Sequence, residues 1–441
     1  MWYNAPCAWR NDTKRRGQHP ADIPYKYMAV AVTTFITYTL LFAALYFEVF
    51  LLLSFLLRHG LKRPQIMPAR RHSSLPTVAI VVPCYNEERT VARTIESLLN
   101  LEYPKEKIEI IVVDDGSKDA TYEVASRYEE AGVRILRKEN GGKHSALNLA
   151  LLNTNSEIIG CLDADSSVEP DALMRIAESF ENTSVSAVTP GIHVREPRTI
   201  LEHIQTAEYR LSVFIRNALA SVGSIFITPG PFSIFRSSVV RKLGGWRHGH
   251  STEDLELGLR LQERGYTILN NPAATVWTAA PRTLKALFRQ RIRWTYGFLR
   301  NTADYHFMIG NPRYGNLGLM ILPTALLSIF AAIYFAAVLI FSAANSAFEA
   351  YIRLVASGWN IALDPLAFSA SVYSTSFAIF LVYFAIAIVM GLIAIGSFIS
   401  LGKHRLPASA FLFILIYSFI VPLWLSAAVV RAALKTGVAW R

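Results

Sequence analysis

The chain has 441 residues, of which 52% are hydrophobic and 17% are charged, and its formal net charge is +11. This composition is too apolar for an ordinary soluble protein, and the length fits one globular domain combined with several membrane spans. The positive charge indicates either basic segments beside anionic lipid or a site for anionic substrates, and the first explanation is favoured. No basic run is interleaved with aromatic residues, so we expect no nucleic-acid partner.

Four apolar segments predict membrane-spanning helices. A polar, basic N-terminus, residues 1–27, precedes the first segment, residues 28–57, which is far longer than the core of a signal peptide. The other three segments are residues 317–341, 374–399 and 411–430. Each is long enough to cross a bilayer. We therefore expect a multi-pass protein of the cell membrane, with a globular domain at residues 77–310 on the cytoplasmic side.

Short β-branched runs alternate with amphipathic runs at the start of the predicted domain. The β-branched runs predict buried strands at residues 77–82, 108–113, 133–136 and 157–162. The runs between them predict helices at residues 88–100, 121–131 and 145–154. This alternation is typical of a parallel α/β sheet covered on both faces. Polar residues cluster where the strands end, which is the edge at which open α/β sheets bind ligands.

Two further amphipathic helices are predicted, near residues 199–221 and 281–300. Both mix apolar side chains with arginines. A helix of the domain core and a helix lying in the membrane interface both explain this pattern, and the sequence leaves the two alternatives open.

Polar side chains follow the first two predicted strands. These residues are Pro83, Tyr85, Asn86, Glu87, Asp114 and Asp115. A carboxylate in this position can accept hydrogen bonds from a nucleobase or a ribose. Turn geometry and helix capping explain the same residue types equally well.

Two later motifs suit a diphosphate and a metal ion. Residues 141–143, Gly-Gly-Lys, could bring backbone amides and an ammonium to a diphosphate, although the glycine spacing is not that of a P-loop. Asp163 and Asp165 place two carboxylates on one side of an extended segment. Such ligands suit Mg²⁺ or Mn²⁺, with diphosphate oxygens and water completing the octahedron. A solvated loop is the alternative.

The last two motifs combine acidic, basic and aromatic side chains. Glu253 and Asp254 precede a predicted helix, where a carboxylate can cap the helix and can also take a proton from an acceptor hydroxyl. Gln290, Arg293 and Trp294 share one helix face by their spacing. The guanidinium matches a diphosphate and the indole can stack on a sugar ring. The alternative is an interfacial helix with Arg and Trp at the level of the lipid headgroups.

In their order and spacing, these motifs resemble those of the membrane-embedded inverting glycosyltransferases of family 2. That group includes cellulose, chitin, hyaluronan, poly-N-acetylglucosamine and mannan synthases, and the resemblance runs from about Val78 to Trp294. It implies a GT-A fold, an α/β domain with a Rossmann-like mixed sheet, beside a helical transmembrane bundle. It also implies transfer of a hexose from a UDP- or GDP-sugar to a saccharide, a glycolipid or a growing polysaccharide, with Mg²⁺ or Mn²⁺ as cofactor and a β-glycosidic product. That chemistry, with the cations at residues 403–405, favours the cytoplasmic side for the domain.

The resemblance further implies a role for each motif. The nucleotide-sugar would contact Pro83, Tyr85, Asn86, Glu87, Asp114, Asp115, Lys143, Asp163, Gln290 and Arg293. The acceptor would contact Glu253, Trp294, Thr228 and Gly230. Asp165 would bind the metal, and Asp254 would be the general base.

The chain also departs from the polymer-secreting members of that group. After Trp294 it reads Thr295-Tyr296-Gly297-Phe298 and lacks their Phe-x-Val-Thr gating sequence. With about four spans, this favours a lipid-linked acceptor at the membrane face over a secreted polymer. The alternative within enzymes is a polyprenyl-phosphate glycosyltransferase, whose phosphate acceptor needs no base. A transporter or an inactive scaffold is disfavoured, because the spans carry few ionisable residues and none of the expected aspartates is missing.

Overall fold

The computed structural model describes residues 22–59, 75–359, 377–403 and 406–437. Most of the predicted basic N-terminus, the first residues of the third apolar segment and two of the cations at residues 403–405 lie outside these ranges. The described part contains a sheet-based domain and a set of long apolar helices.

Eight strands form one mixed sheet. They are β1 (Val78–Cys84), β2 (Ile108–Asp114), β3 (Arg134–Arg137), β4 (Ile158–Cys161), β5 (Ser166–Val168), β6 (Val185–Val194), β7 (Ile234–Arg236) and β8 (Thr267–Thr278). Their order across the sheet is β3-β2-β1-β4-β7-β6-β8-β5. The first four pair in parallel, as their alternation with helices predicts, whereas β7 is antiparallel to β4 and β6, and β5 is antiparallel to β8. The predicted α/β domain with a mixed sheet is confirmed.

Helices cover the sheet and extend beyond it. In chain order they are α1 (Asp22–His59), α2 (Val91–Leu99), α3 (Thr121–Ser126), α4 (Lys143–Leu152), α5 (Ala172–Ala177), α6 (Ile200–Ser221), α7 (Ser237–Lys242), α8 (Glu253–Glu263), α9 (Leu284–Asp304), α10 (Leu322–Ala356), α11 (Phe377–Leu401) and α12 (Ser409–Ala433). The helix predicted at residues 121–131 ends early, and a short 3-10 turn leads from it to Gly132. Gly132 has φ +85°, a left-handed conformation that ends a helix and favours glycine.

Four helices are long and apolar enough to cross a membrane. Their apolar stretches are Ala31–Arg58, Leu317–Ala356, Ile379–Leu401 and Ser409–Ala433. Each predicted apolar segment lies in one of these helices over the residues that the structure describes. The second stretch is longer than predicted, because a π-helical turn at Leu317–Ile321 leads directly into α10, which continues to Ala356.

Side chains of β1 alternate between two apolar layers. Ala79 and Val81 pack in the layer that contains Phe214 of α6, whereas Ile80 packs in the layer that contains Ile95 of α2. A strand covered on both faces has this alternation. The sheet is therefore the centre of the domain. A ligand site is expected at the edge where its parallel strands end.

Helix α6 joins the domain to the apolar helices. It packs on β6 and β8 and also on α1, α11 and α12. The ring of Phe214 meets the ring of Phe55 in α1 edge to face, with 5.4 Å between the centroids. Thr199 and Glu202 form a capping box that fixes where the helix starts. The helix predicted near residues 199–221 is therefore a core helix that also forms a large part of the contact with the apolar helices.

Gly396 of α11 lies against the backbone of α6, and a side chain there would disturb this contact. A Cβ at Gly396 would overlap the carbonyl of Arg210 and lie 3.4 Å from Cβ of Phe214. We expect Gly396→Ala to destabilise the protein by about 1–3 kcal/mol, because backbone has to move. Gly391→Ala in the same helix is the matched control, since a Cβ there meets nothing within 4 Å. Equal thermal unfolding midpoints for the two purified variants would contradict this role of Gly396.

Candidate active site

A cleft of about 1110 Å³ opens where β1, β2 and β4 end. It continues past α6 and α9 to the first turns of α10 and to α12. The predicted site residues on its wall are Pro83, Tyr85, Glu87, Asp115, Lys143, Asp163, Asp165, Gly230, Glu253, Asp254, Gln290, Arg293 and Trp294. The fold therefore gathers motifs that are far apart in the chain into one cavity.

Three of the predicted contact residues lie behind this wall. Asn86 accepts a hydrogen bond from the Lys118 backbone amide at 2.9 Å. Asp114 is fully buried and pairs with the Nε of Arg137 at 3.1 Å. Thr228 Oγ1 donates to the backbone carbonyl of Asp254 at 2.7 Å. Their contacts support the wall of the cleft, and the ligand contacts that the sequence predicts for them stay predictions.

Asp115 is held by the glycine loop that precedes α4. The backbone amides of Gly141 and Gly142 donate to its carboxylate at 3.1 and 2.8 Å, and Lys138 Nζ lies 2.8 Å from it. The expectation that these two amides face a diphosphate is therefore wrong, because the carboxylate already occupies them. The loop instead aims one edge of Asp115 into the cleft, where a nucleoside could be bound.

Lys143 forms the centre of an acidic cluster. Its Nζ lies 2.5 Å from Oδ1 of Asp163 and 3.1 Å from Oε1 of Glu253. Burial alone would lower the pKa of Lys143, but attraction to Asp163 and to the other acidic groups outweighs it and holds that pKa well above its usual value. A Cβ at Gly230 would overlap Lys143 Nζ and lie 2.9 Å from both carboxylate oxygens of Asp163. A side chain at this position would displace Lys143 Nζ from its place beside Asp163, so glycine lets the wall approach the cluster.

Asp254 lies next to this cluster at the start of α8. The Leu255 amide donates to its Oδ1 at 2.9 Å. Burial and then repulsion from Glu253 raise the pKa of Asp254 to about 6, against the opposing effect of Lys143. The carboxylate is thus ionised at neutral pH and yet has a higher proton affinity than an exposed aspartate. These are the properties that a general base requires.

Helix α9 supports the segment that carries Asp254. Arg293 Nη1 donates to the carbonyl of Ser251 at 3.2 Å, and Asn301 Nδ2 donates to Thr252 Oγ1 at 2.9 Å. His250 and Ser251 have φ +51° and +66°, which side chains other than glycine rarely adopt. Contacts from α9 stabilise this strained turn, so the helix that bears Gln290, Arg293 and Trp294 also positions the predicted base.

Three residues that sequence reasoning did not select connect the cleft to α12, one of the long apolar helices. Arg291 lies with its guanidinium carbon 4.3 Å from the centroid of the Trp294 ring. Its Nη2 is 2.7 Å from Oε2 of Glu208 in α6, and the same oxygen accepts from the hydroxyl of Tyr417 in α12 at 2.8 Å. Arg291 and Trp294 are three positions apart on one helix, so their contact could have been predicted from the sequence. The contacts of Glu208 with Arg291 and with Tyr417 depend on the fold and could not.

Asp163 and Asp165 are the carboxylates that could hold a divalent cation. Both lie on the wall of the cleft, and Asp165 Oδ1 accepts from Ser166 Oγ at 3.1 Å. Among the described residues, no group of three or more His, Cys, Asp or Glu side chains is arranged to hold a metal. Mg²⁺ is commonly bound by one or two carboxylates together with substrate phosphates and water. The two aspartates therefore fit a cation that is bound together with a phosphate-bearing substrate.

Comparison with known proteins identifies related chains. The family model described as "Glycosyltransferase like family 2" matches residues 76–297. A poly-β-1,6-N-acetyl-D-glucosamine synthase from Staphylococcus epidermidis is 31% identical over 270 residues, which are 60% of this chain and 65% of that protein. The synthase of the same name from Staphylococcus aureus is 35% identical over 227 residues, 51% of this chain and 55% of that protein. The chain thus matches a little more than half of the length of these relatives.

A solved structure has the same architecture. It is a mannosyltransferase from Pyrobaculum calidifontis in complex with GDP-Man and Mn²⁺, with a TM-score of 0.61 and 20% sequence identity. The alignment covers 92% of this chain and 99% of that one, so it includes the apolar helices as well as the sheet. This likeness confirms the GT-A fold that the motifs predict.

The buried pair between Arg291 and Glu208 should contribute strongly to stability. Arg291 keeps only 5% of its side chain exposed, so removing its counter-charge leaves a buried cation. We expect Glu208→Gln to destabilise the protein by about 3–5 kcal/mol, measured by thermal unfolding in detergent. Glu349→Gln is the matched control, because Glu349 pairs with Arg353 on an exposed surface at 3.8 Å. If both variants unfold at the wild-type temperature, the pair does not hold α6 to α9.

Proposed function

The chain belongs to glycosyltransferase family 2, and we propose that it transfers a hexose from a UDP- or GDP-sugar to a saccharide or glycolipid at the membrane face, forming a β-glycosidic bond. The observation that carries this proposal is the position of Asp254. It lies in the same cleft as Asp163, Asp165 and Arg293, so one cavity offers a base, two carboxylates for a cation and a cation for a diphosphate. A bare phosphate acceptor would need no base, and the raised pKa of Asp254 therefore favours an acceptor hydroxyl.

The reaction would be a single in-line displacement. The Asp254 carboxylate takes the proton from the acceptor hydroxyl as the hydroxyl oxygen forms a bond to the anomeric carbon of the donor. The bond from that carbon to the diphosphate breaks, and its electron pair leaves with the nucleoside diphosphate. Attack from the face opposite the leaving group inverts an α-linked donor to a β-linked product. One catalytic carboxylate is sufficient, because the leaving group departs as a stabilised anion and needs no carboxylic acid to protonate it.

The charge of the leaving group would be stabilised by other side chains of the cleft. Arg293 and Gln290 lie on the cleft side of α9 and can donate hydrogen bonds to phosphate oxygens. Lys143 adds a buried positive charge beside Asp163. Asp163 and Asp165 would hold Mg²⁺ or Mn²⁺, which supplies further positive charge to the diphosphate when bound. Trp294, with 39% of its surface exposed, offers its ring to the acceptor sugar.

The relatives support N-acetylglucosamine as the first sugar to test. Both synthases named above make a polymer of β-linked N-acetylglucosamine according to their names. The family model matches residues 76–297, which include most of the residues that line the cleft. The proposed donor sugar is therefore N-acetylglucosamine, and glucose and mannose donors are tested beside it. The proposal concerns transfer of one sugar and not polymer synthesis.

A membrane location with the cleft on the cytoplasmic side fits this chemistry. Four helices are long and apolar enough to span a bilayer, and the cleft reaches α10 and α12, which are two of them. Lys403 directly follows α11. The positive-inside rule favours the cytoplasm for a helix end that carries such a cation. Nucleotide-sugar entry and the membrane-bound acceptor would then lie at the same face.

Removal of the proposed base should stop transfer and preserve donor binding. We expect Asp254→Asn to lower kcat by about 100-fold or more, because general-base catalysis contributes factors of that size. Released nucleoside diphosphate is measured with a panel of UDP-N-acetylglucosamine, UDP-glucose and GDP-mannose, and nucleotide affinity is measured by calorimetry. The control is Asp171→Asn, since Asp171 pairs with Arg175 outside the cleft. Turnover close to wild type in Asp254→Asn would falsify the assignment of the base.

The pH profile of kcat/KM should report Asp254. Because the base acts in its ionised form, kcat/KM should fall as the pH drops through about 6, the pKa to which burial and Glu253 raise Asp254 in the ligand-free protein. Glu253→Gln removes one of the negative charges that raise this pKa, so the acid limb should move to lower pH. Glu263→Gln, at the far end of α8, is the control. An acid limb that stays in place or moves upward in Glu253→Gln would contradict the coupling.

A further inference from the structure

The cleft is larger than the proposed donor site and ends among membrane-spanning helices. Beyond Trp294, its wall includes Phe298 of α9, Ala325 and Ile329 of α10 and Leu425 of α12, with Ser328 of α10 beside them. Apart from Ser328 these side chains are apolar, whereas the strand-end half of the cleft is lined by carboxylates and cations. An occupant of the whole cavity would therefore need a polar part and an apolar part.

A cation that the proposed reaction does not use lines the same cleft. Arg216 is on the face of α6 that also presents Tyr209 and Ser212 to the cleft. Its Nη1 donates to Ser212 Oγ at 2.9 Å. Its Nε and Nη2 are enclosed and have no hydrogen-bond partner among the residues that the structure describes. Leaving such donors unsatisfied is costly, so this guanidinium is arranged for an anion that is not part of the protein.

The charge of Arg216 persists at neutral pH and is not cancelled by its neighbours. Burial lowers the pKa of Arg216 to about 10, which leaves the group protonated, and Tyr209 opposes that shift. The nearest acid on the same helix face is Glu208, which is already paired with Arg291. The diphosphate of the donor has its own partners in Arg293 and Lys143. The anion at Arg216 is therefore a second anion, which is brought by the acceptor.

We propose that the acceptor is an anionic lipid, in which a saccharide is joined to an apolar chain through a phosphate group that Arg216 binds. This inference rests on the proposed function and adds the chemical class of its acceptor. The saccharide would lie at Trp294 and Asp254, the phosphate at the guanidinium of Arg216, and the first carbons of the chain along Ala325, Ile329 and Leu425. The apolar wall favours a lipid phosphate over a charged soluble saccharide, because a soluble acceptor would leave that wall exposed to water.

Three acceptors separate these possibilities with the full-length protein in lipid nanodiscs. They are N-acetylglucosamine joined to a decyl chain through a phosphodiester, neutral decyl β-N-acetylglucosaminide, and N-acetylglucosamine 1-phosphate without a chain. We expect the wild-type protein to show a KM for the phosphate-linked lipid about tenfold or more below that of the other two. The charge-assisted contact predicts the difference from the neutral lipid, and burial of the apolar chain predicts the difference from the 1-phosphate. Equal use of the 1-phosphate without a chain would overturn the lipid part of the inference.

The variant Arg216→Gln tests the contact itself. It should reduce the preference for the phosphate-linked over the neutral lipid by about tenfold. Arg210→Gln is the matched control, because Arg210 is a partly buried arginine of the same helix, also has an unpartnered Nε, and lies outside the cleft wall. An unchanged preference in Arg216→Gln, or an equal loss in Arg210→Gln, would overturn the proposal.

A second measurement needs no variant and remains decisive if Arg216→Gln does not fold. Decyl phosphate should inhibit the wild-type protein competitively against the phosphate-linked acceptor, whereas inorganic phosphate and decanol at the same concentration should not. Inhibition by inorganic phosphate alone, or equal inhibition by decanol, would overturn the proposal. If none of the three acceptors receives a sugar from any donor of the panel, the proposed function itself fails. Transfer to the neutral lipid without any phosphate preference refutes only the anionic acceptor.

Discussion

One buried ammonium allows several carboxylates to share the cleft. Asp163, Asp165, Glu253 and Asp254 lie on its wall, and their repulsion would separate the segments that carry them. Lys143 contacts Asp163 and Glu253 at once, so it joins the end of β4 to the start of α8. The arrangement also tunes the base, because Glu253 raises the pKa of Asp254 and Lys143 limits the rise. The proposed chemistry depends on this balance of charges.

The second constraint is the connection between the cleft and the apolar helices. Helix α6 packs on the sheet and on three of those helices, and α9 packs on α12. The hydroxyl of Tyr417 and the guanidinium of Arg291 both donate to the carboxylate of Glu208. The same guanidinium lies over the ring of Trp294. The orientation of the proposed acceptor platform is therefore set partly by a helix that is long and apolar enough to cross a membrane. An acceptor held in the bilayer and a donor bound at the strand ends would meet at this point.

Features that are local in the chain could be predicted from the sequence, and contacts between distant segments could not. The strands, the apolar segments and the motif order follow from periodicity, composition and family resemblance. Gly141 and Gly142 show the limit: their free amides suit a diphosphate, but Asp115, far away in the sequence, occupies them. The pair between Glu208 and Tyr417 joins residues 209 positions apart and has no sequence signal. Burial likewise decides that Asp114 supports the wall while Asp115 reaches the cleft.

The central claim is a single displacement with Asp254 as the only catalytic carboxylate. The most direct test is the anomeric configuration of the first product formed from an α-linked nucleotide-sugar, determined by NMR before any later reaction can change it. The account predicts a β-glycosidic bond, because the acceptor attacks opposite the leaving diphosphate and the configuration inverts. An α-linked product would require two displacements or attack from the same face as the leaving group, and would contradict the account.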